Sequence, residues 1–188
     1  MGVTAEKIAE KFSITRKEQD EFALNSQKKA ARAIENGRFN EEIVPVPVRD
    51  KKGKESLFSE DEYVRKNTTL EDLARLKPAF VKDGTVTAGN SSGINDGAAA
   101  LILMEKSRAE KHGIPYLGKI KAYHEVGVEP IMMGYAPFYA IKGLLDKTGK
   151  TTNEIDLYEI NEAFASQSIA VIRDLALDEE KVNVNGGA

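Results

Sequence analysis

The 188-residue chain contains no cysteine, which excludes disulfides, thiolate metal sites and a cysteine nucleophile. It has only two histidines, His112 and His124, too far apart in sequence for metal-ligand spacing. No apolar run approaches the roughly 20 residues that span a bilayer. The first residues form neither a signal-peptide core nor an Arg-rich amphipathic leader, so a cytoplasmic setting without membrane attachment is expected. Charge of one sign is scarce as well: a formal net charge of -3 gives no electrostatic case for nucleic acid. Internal repeats and low-complexity segments are missing.

What remains is an ordinary globular balance. Apolar residues make up 41% and charged residues 30%, which argues against disorder and leaves partners to be read from sites. The length suits one ordinary domain or two small ones with a buried core.

The first part reads as helical. Thr15-Arg16-Lys17-Glu18 has the form of a capping box, and Phe22, Ala23, Ala30, Ala33 and Ile34 continue one apolar stripe to a stop at Gly37. Lys28, Lys29 and Arg32 lie off that stripe and read as a solvated face. The segment Ile43 to Val48 carries two prolines, so it is predicted as an edge strand or linker, and the polar stretch Arg49 to Asn67 as a loop excursion. Thr69 opens a short helix carrying Leu70, Leu73 and Leu76, which Pro78 ends.

From Gly84 the character changes. A Gly/Ser/Asn-rich turn feeds the apolar run Ala98 to Met104, predicted as a strand buried on both faces, and a brief helix follows from Ser107 to His112. Further strands are predicted at Gly118 to Tyr123, Ile155 to Ile160 and Lys181 to Asn185. Helices are predicted at Tyr139 to Lys147 and Ala163 to Leu175. Strands alternating with helices make the fold class α/β.

Three segments narrow this reading: Asn161-Glu162-Ala163-Phe164, the closing Asn183-Val184-Asn185-Gly186-Gly187-Ala188, and the run Gly84 to Ala100 with Gly89-Asn90-Ser91-Ser92-Gly93 at its centre. Together they resemble the thiolases, and the resemblance covers nearly the whole chain. Thiolases make or cleave acyl-CoA thioesters by Claisen chemistry. They use a nucleophilic cysteine, a second cysteine as acid and base, and a histidine in a Gly-His-Pro motif. The resemblance implies a thiolase-like fold, present in part: a mostly helical loop-domain segment over 1–81, the end of the amino-terminal half over 82–115, and the start of the carboxyl-terminal half over 116–188. Because the chain has no cysteine and closes on the Asn-Gly-Gly-Ala that precedes Gly-His-Pro in the family, it is expected to be an internal fragment, inactive alone. The resemblance also implies coenzyme A and acyl-CoA as substrate, no covalently bound cofactor, and a homo-oligomer for the full-length protein.

Claisen condensation builds negative charge on a thioester oxygen, and an amide held there can stabilise it without titrating. Asn161 matches the family asparagine that holds a water donating to that oxygen. The plainer reading is that Asn161 caps the helix that follows. Glu162 reads as support at a positive helix end. By resemblance Ser92 touches the pantetheine arm of coenzyme A and Arg65 lies near its nucleotide. A small hydroxyl in a Gly-rich turn and a guanidinium facing phosphate both suit those tasks, while the plain readings are a turn hydroxyl and a solvated loop charge. Met133, in Met-Gly-Tyr-Ala-Pro, resembles a family segment at the acyl pocket, and Phe164 borders that pocket or packs in the core. Ala136 departs from the glycine frequent at that point. Two functions stay open: a piece of a thiolase, or a noncatalytic module that binds coenzyme A or pairs with a thiolase-like partner.

Overall fold

A computed structural model of the chain describes residues 1–187; Ala188, the last residue of the closing Asn-Gly-Gly-Ala segment, lies outside the described residues. Two helices open it, α1 (Gly2–Lys11) and α2 (Arg16–Glu35). α2 begins where the capping box predicts. Thr15 Oγ1 accepts from Glu18 N–H at 3.2 Å, and Glu18 Oε2 accepts from Thr15 N–H at 2.6 Å, so two orphan donors are satisfied reciprocally. The helix ends at Asn36, and Gly37 takes φ +66°, a left-handed conformation that glycine reaches at little cost.

The next segment is a two-stranded antiparallel ribbon, β1 (Val46–Arg49) and β2 (Glu55–Phe58), with Val46 opposite Phe58 and Arg49 opposite Glu55. β1 is the edge element that its prolines require. β2 corrects the expectation of an unbroken loop over Arg49 to Asn67. Asp50 closes the turn by accepting from the N–H groups of Lys52 and Lys54, and the Arg49–Glu55 ion pair spans it. Every residue of the ribbon is exposed.

α3 (Leu70–Ala74) starts from a second capping box at Thr69 and Asp72. α4 (Lys106–Lys111) ends at His112, α5 (Ala136–Thr148) follows the 3₁₀ turn Pro130–Tyr135, and α6 (Ala165–Asp174) precedes the final segment. α6 is buried on nearly all sides, and α1, α2 and the 3₁₀ turn pack around it. Its Ile169, Val171 and Ile172 meet Ile8, Ile14, Tyr135, Ile160 and Val182 in the main core. At full burial each such side chain contributes about 1.5–3 kcal/mol. Arg173 in the last turn of α6 donates to Glu18 at 2.7 Å. The Thr15 hydroxyl first, then the Thr15 N–H and Arg173, hold the Glu18 carboxyl at about 2, well below the usual carboxylate range. Behind α6, Tyr135 stacks on Phe138 and gives its hydroxyl hydrogen to Asp174.

The predicted strands fare differently. Ile155 to Ile160 and Lys181 to Asn185 pair only at one parallel bridge, Tyr158 with Val182, through Tyr158 N–H to Lys181 O at 2.8 Å and Asn183 N–H to Tyr158 O at 2.9 Å. Pairing stops there because Asn183 turns the chain away at φ +46°. Ala98 to Met104 and Gly118 to Tyr123 join no sheet among the described residues. A strand exists only against a neighbour that takes its backbone hydrogen bonds. The expectation that Ala98 to Met104 is buried on both faces is overturned: Leu101 is 86% and Ile102 90% exposed.

Exposed apolar segments with unpaired backbone are association sites. The chain is expected to self-associate at micromolar concentration, measured by light scattering. A sharp monomer across that range would contradict this.

Candidate functional site

The turn from Thr85 to Ser92 is built by side chains reaching in from the first two helices. Glu6 on α1 accepts from the N–H groups of Thr85 and Val86, each at 2.9 Å. Asp20 on α2, buried, accepts from Asn90 Nδ2 at 3.0 Å. Asn90 in turn accepts from Thr87 N–H at 2.8 Å and donates to Thr85 O, so its carboxamide closes the turn from inside. The turn then pairs with the segment before α6. Ala165 N–H donates to Asn90 O at 3.0 Å, Ser92 N–H donates to Ala163 O at 3.1 Å, and Ser91 and Phe164 form an antiparallel bridge.

Beside this junction lies a cleft of about 570 Å³, within the range of small-molecule sites. Phe22, Leu73, Leu76 and Ala165 give it apolar walls, Ser26, Asn90, Ser91 and Ser92 supply small polar groups, Arg65 and Lys66 bring positive charge, and Asp72 and Glu162 bring negative charge. Arg65 is exposed, and its N–H donates to Gln27 Oε1 at 2.8 Å, so α2 fixes its backbone at the cleft wall. The Ser92 hydroxyl donates to Ala163 O at 3.3 Å, which leaves its oxygen free to accept. Cations and neutral hydrogen-bonding groups in a partly apolar cleft are the kinds of group that meet phosphates and amides.

The structure thus brings Arg65 and Ser92 to one cavity. Asn161, Met133 and Phe164 are not among its lining residues. Phe164 is buried against Ala5 and Val86 and meets Phe80 edge-on at 6.0 Å. Met133 sits half-exposed in the 3₁₀ turn, while its neighbour Met132 packs on the core. Asn161 is exposed, three residues before Phe164, which occupies the N-cap of α6, so capping does not explain Asn161. Its backbone O accepts from Gln167 Nε2 at 3.3 Å.

Sequence reasoning missed the support beneath Asn161. Burial alternates along Tyr158, Ile160 and Glu162 against exposed Glu159 and Asn161, as in a strand. Glu162 is buried outside the helix, its carboxylate accepting from Asn183 Nδ2 at 2.7 Å. The closing Gly-Gly threads between Glu162 and α2, with Gly187 N–H donating to Ser26 Oγ at 3.1 Å. A Cβ on Gly186, which has φ +88°, would lie 2.9 Å from Ala30 N. The Asn-Gly-Gly spelling was the signal available: two glycines after an asparagine mark a backbone that passes close to something. Lys29 was read as solvated, but it donates to Val182 O at 2.9 Å and Glu179 O at 3.1 Å, fastening the same segment to α2. His112 caps α4 and His124 packs over Gly143 of α5, both remote from the cleft. Among the described residues no cluster of His, Asp and Glu has the arrangement to hold a metal ion, and no helix is long and apolar enough to cross a membrane.

Comparison with known proteins gives one consistent result. Residues 1–107 match the family model of the thiolase N-terminal domain, and residues 114–188 that of the thiolase C-terminal domain. The whole chain aligns at 54% identity with 48% of an acetyl-CoA acetyltransferase of Pseudomonas aeruginosa, and at 52% with 48% of a probable acetyl-CoA acyltransferase of Staphylococcus aureus. Its backbone superposes on 47% of the Bacillus anthracis acetyl-CoA acetyltransferase with a TM-score of 0.93 at 51% identity. On human mitochondrial 3-ketoacyl-CoA thiolase the TM-score is 0.94 at 47% identity, again over all of this chain and 47% of the other. The chain therefore spans about half the length of the relatives it matches, and its fold is a partial α/β fold of the same kind. Segments unpaired here follow the path of their counterparts.

The threading of the closing segment is directly testable. Gly186→Ala adds a side chain at a left-handed φ and against helix backbone, and is expected to cost about 1–3 kcal/mol in urea unfolding. An unchanged midpoint would mean that the segment is not pinned against α2.

Proposed function

Because the chain belongs to the thiolase family, we propose that it carries the coenzyme A cleft and the oxyanion-side asparagine of an acyltransferase that makes or cleaves 3-ketoacyl-CoA by Claisen chemistry. The observation that carries this reading is the junction itself. Ser92, on the wall of the cleft that Arg65 and Lys66 also line, is hydrogen-bonded to Ala163, two residues from Asn161. In this reading the thioester at the end of an arm lying along Ser92 meets the Asn161 carboxamide.

In this mechanism the chain binds and polarises. Arg65 and Lys66 meet the phosphates of coenzyme A, and Ser92 and its turn meet the amides of the arm. Asn161 holds a water whose hydrogen points at the thioester oxygen, where charge develops as the carbon is attacked. The walls place that carbon and exclude solvent. Attack requires a nucleophile that a chain without cysteine does not have, so acyl transfer is outside its own chemistry. Met133 and Phe164 lie off the cleft wall, and the ligand contacts proposed here rest on Arg65 and Ser92. A cytoplasmic setting and homo-oligomeric assembly of the full-length protein belong to the same reading and rest on the family resemblance.

Calorimetric titration with coenzyme A tests the binding half. Weak but saturable binding is expected, with Arg65→Ala losing about 1–3 kcal/mol, as for a hydrogen bond to a charged group. Equal binding by both would return Arg65 to the solvent. Loss of the acetoacetyl-CoA enolate absorbance tests the other half: the chain is expected to show no turnover, and a rate near the ordinary range of about 1–1,000 per second would overturn that.

A further inference from the structure

The parallel pairing at Tyr158 and Val182 breaks off one residue later, yet Ile160 does not lose its hydrogen bonds. Asn183 Oδ1 accepts from Ile160 N–H at 2.8 Å, and Asn183 Nδ2 donates to Ile160 O at 2.7 Å. The carboxamide does for Ile160 what a neighbouring peptide unit would do in a sheet. The same Nδ2 donates to Glu162 Oε1 at 2.7 Å. All three bonds are buried, and Asn183 is 2% exposed. Asn161 lies between the two residues so held, its own side chain on the exposed side of the segment.

We infer that Asn183 is a positioning residue for Asn161: its carboxamide stands in for the missing strand, fixes the backbone on both sides of Asn161, and thereby sets the direction of the Asn161 side chain. This rests on the oxyanion role proposed for Asn161. The position makes two demands that few residues meet together. A φ of +46° admits glycine and asparagine readily and most other residues poorly. The three bonds require two N–H donors and one acceptor on a short side chain. Aspartate supplies the acceptor but would turn an oxygen toward Ile160 O and the Glu162 carboxylate, leaving two buried acceptors unpaired and two carboxylates face to face.

Asn183→Gly separates these demands, because it keeps the backbone conformation and removes only the carboxamide. Amide hydrogen exchange and side-chain amide NMR on the 188-residue chain test the inference. In the parent chain the Ile160 amide is expected to be protected, although no backbone carbonyl accepts from it, and Asn161 is expected to show a single side-chain rotamer. In Asn183→Gly, Ile160 should exchange about tenfold faster or more, and the Asn161 rotamers should average, while amides inside α2 keep their protection. A purely structural role would lower the melting temperature but leave the Asn161 rotamer in the folded state unchanged, and that result overturns the inference. So does an unprotected Ile160 in the parent, a measurement that stands whether or not the variant folds. The shift of the Asn161 carboxamide on adding acetoacetyl-CoA is read separately. Its absence would remove the oxyanion role without altering the exchange result.

Discussion

The two backbone hydrogen bonds between the turn at Asn90 to Ser92 and the segment Ala163 to Ala165 are the constraint on which the rest of the molecule depends. They join parts of the chain more than 70 residues apart, the cleft-lining turn on one side and the segment that follows Asn161 on the other. A buried backbone bond of this kind nets about 1 kcal/mol, but breaking it strands a donor and an acceptor and costs about 1–3 kcal/mol for each. The seam therefore holds less through its own strength than through the penalty for opening it. Its geometry is also over-determined: Glu6 and Asp20 approach the turn from separate helices, and the Asn90 carboxamide closes it from within.

α2 gives that seam its second support. One helix contributes Phe22 to the core margin, Gln27 to the Arg65 backbone, Ser26 to the final glycine, and Lys29 to the carbonyl of Val182. Near its start Arg16 donates to the carbonyls of Leu73 in α3 and of Leu76 just beyond it, two residues that line the cleft. The cleft is thus bounded by contacts between elements far apart in sequence, and most of its polar lining is already tied to protein on one side. Such preorganisation lowers the ordering cost that a flexible ligand must meet.

What the sequence made legible follows the range of the interactions. The capping box at Thr15, the helix start at Thr69, the stop at Gly37 and the helix end near His112 are local, and they appear where the residues predict. Burial of Ala98 to Met104 depends on a neighbour distant in sequence, so an apolar run could announce a strand but not what covers it. Asn161 was placed at a strand-to-helix junction, and a cap was the plain alternative. The helix starts later because Phe164 is pinned by the Ser91 bridge, with its N–H donating weakly to Gln167 at 3.4 Å. Arg65 and Ser92 were recognisable because a guanidinium in a loop and a hydroxyl in a glycine-rich turn advertise their chemistry. Asn183 did not, since its task depends on a left-handed φ and on which carbonyl happens to face it.

The contrast between Asn161 and Glu162 shows how one strand-like stretch divides two tasks. Period-two alternation turns Glu162 inward, where it lines the cleft and receives Asn183, and turns Asn161 outward. A carboxylate at the oxyanion position would repel the charge that builds there, whereas an amide stabilises it. One residue inward, a carboxylate is useful, because it accepts the remaining donor of Asn183 and so completes the bonding of the group that holds the backbone. Shifting the register by one would exchange the two positions, turning the Glu162 carboxylate outward and leaving the Asn183 clamp facing an amide. The Tyr158–Val182 bridge and the Asn183 carboxamide both oppose that shift, one through the backbone and the other through a side chain acting as backbone. On the role proposed for Asn161, the final segment serves that site by holding the backbone that carries it.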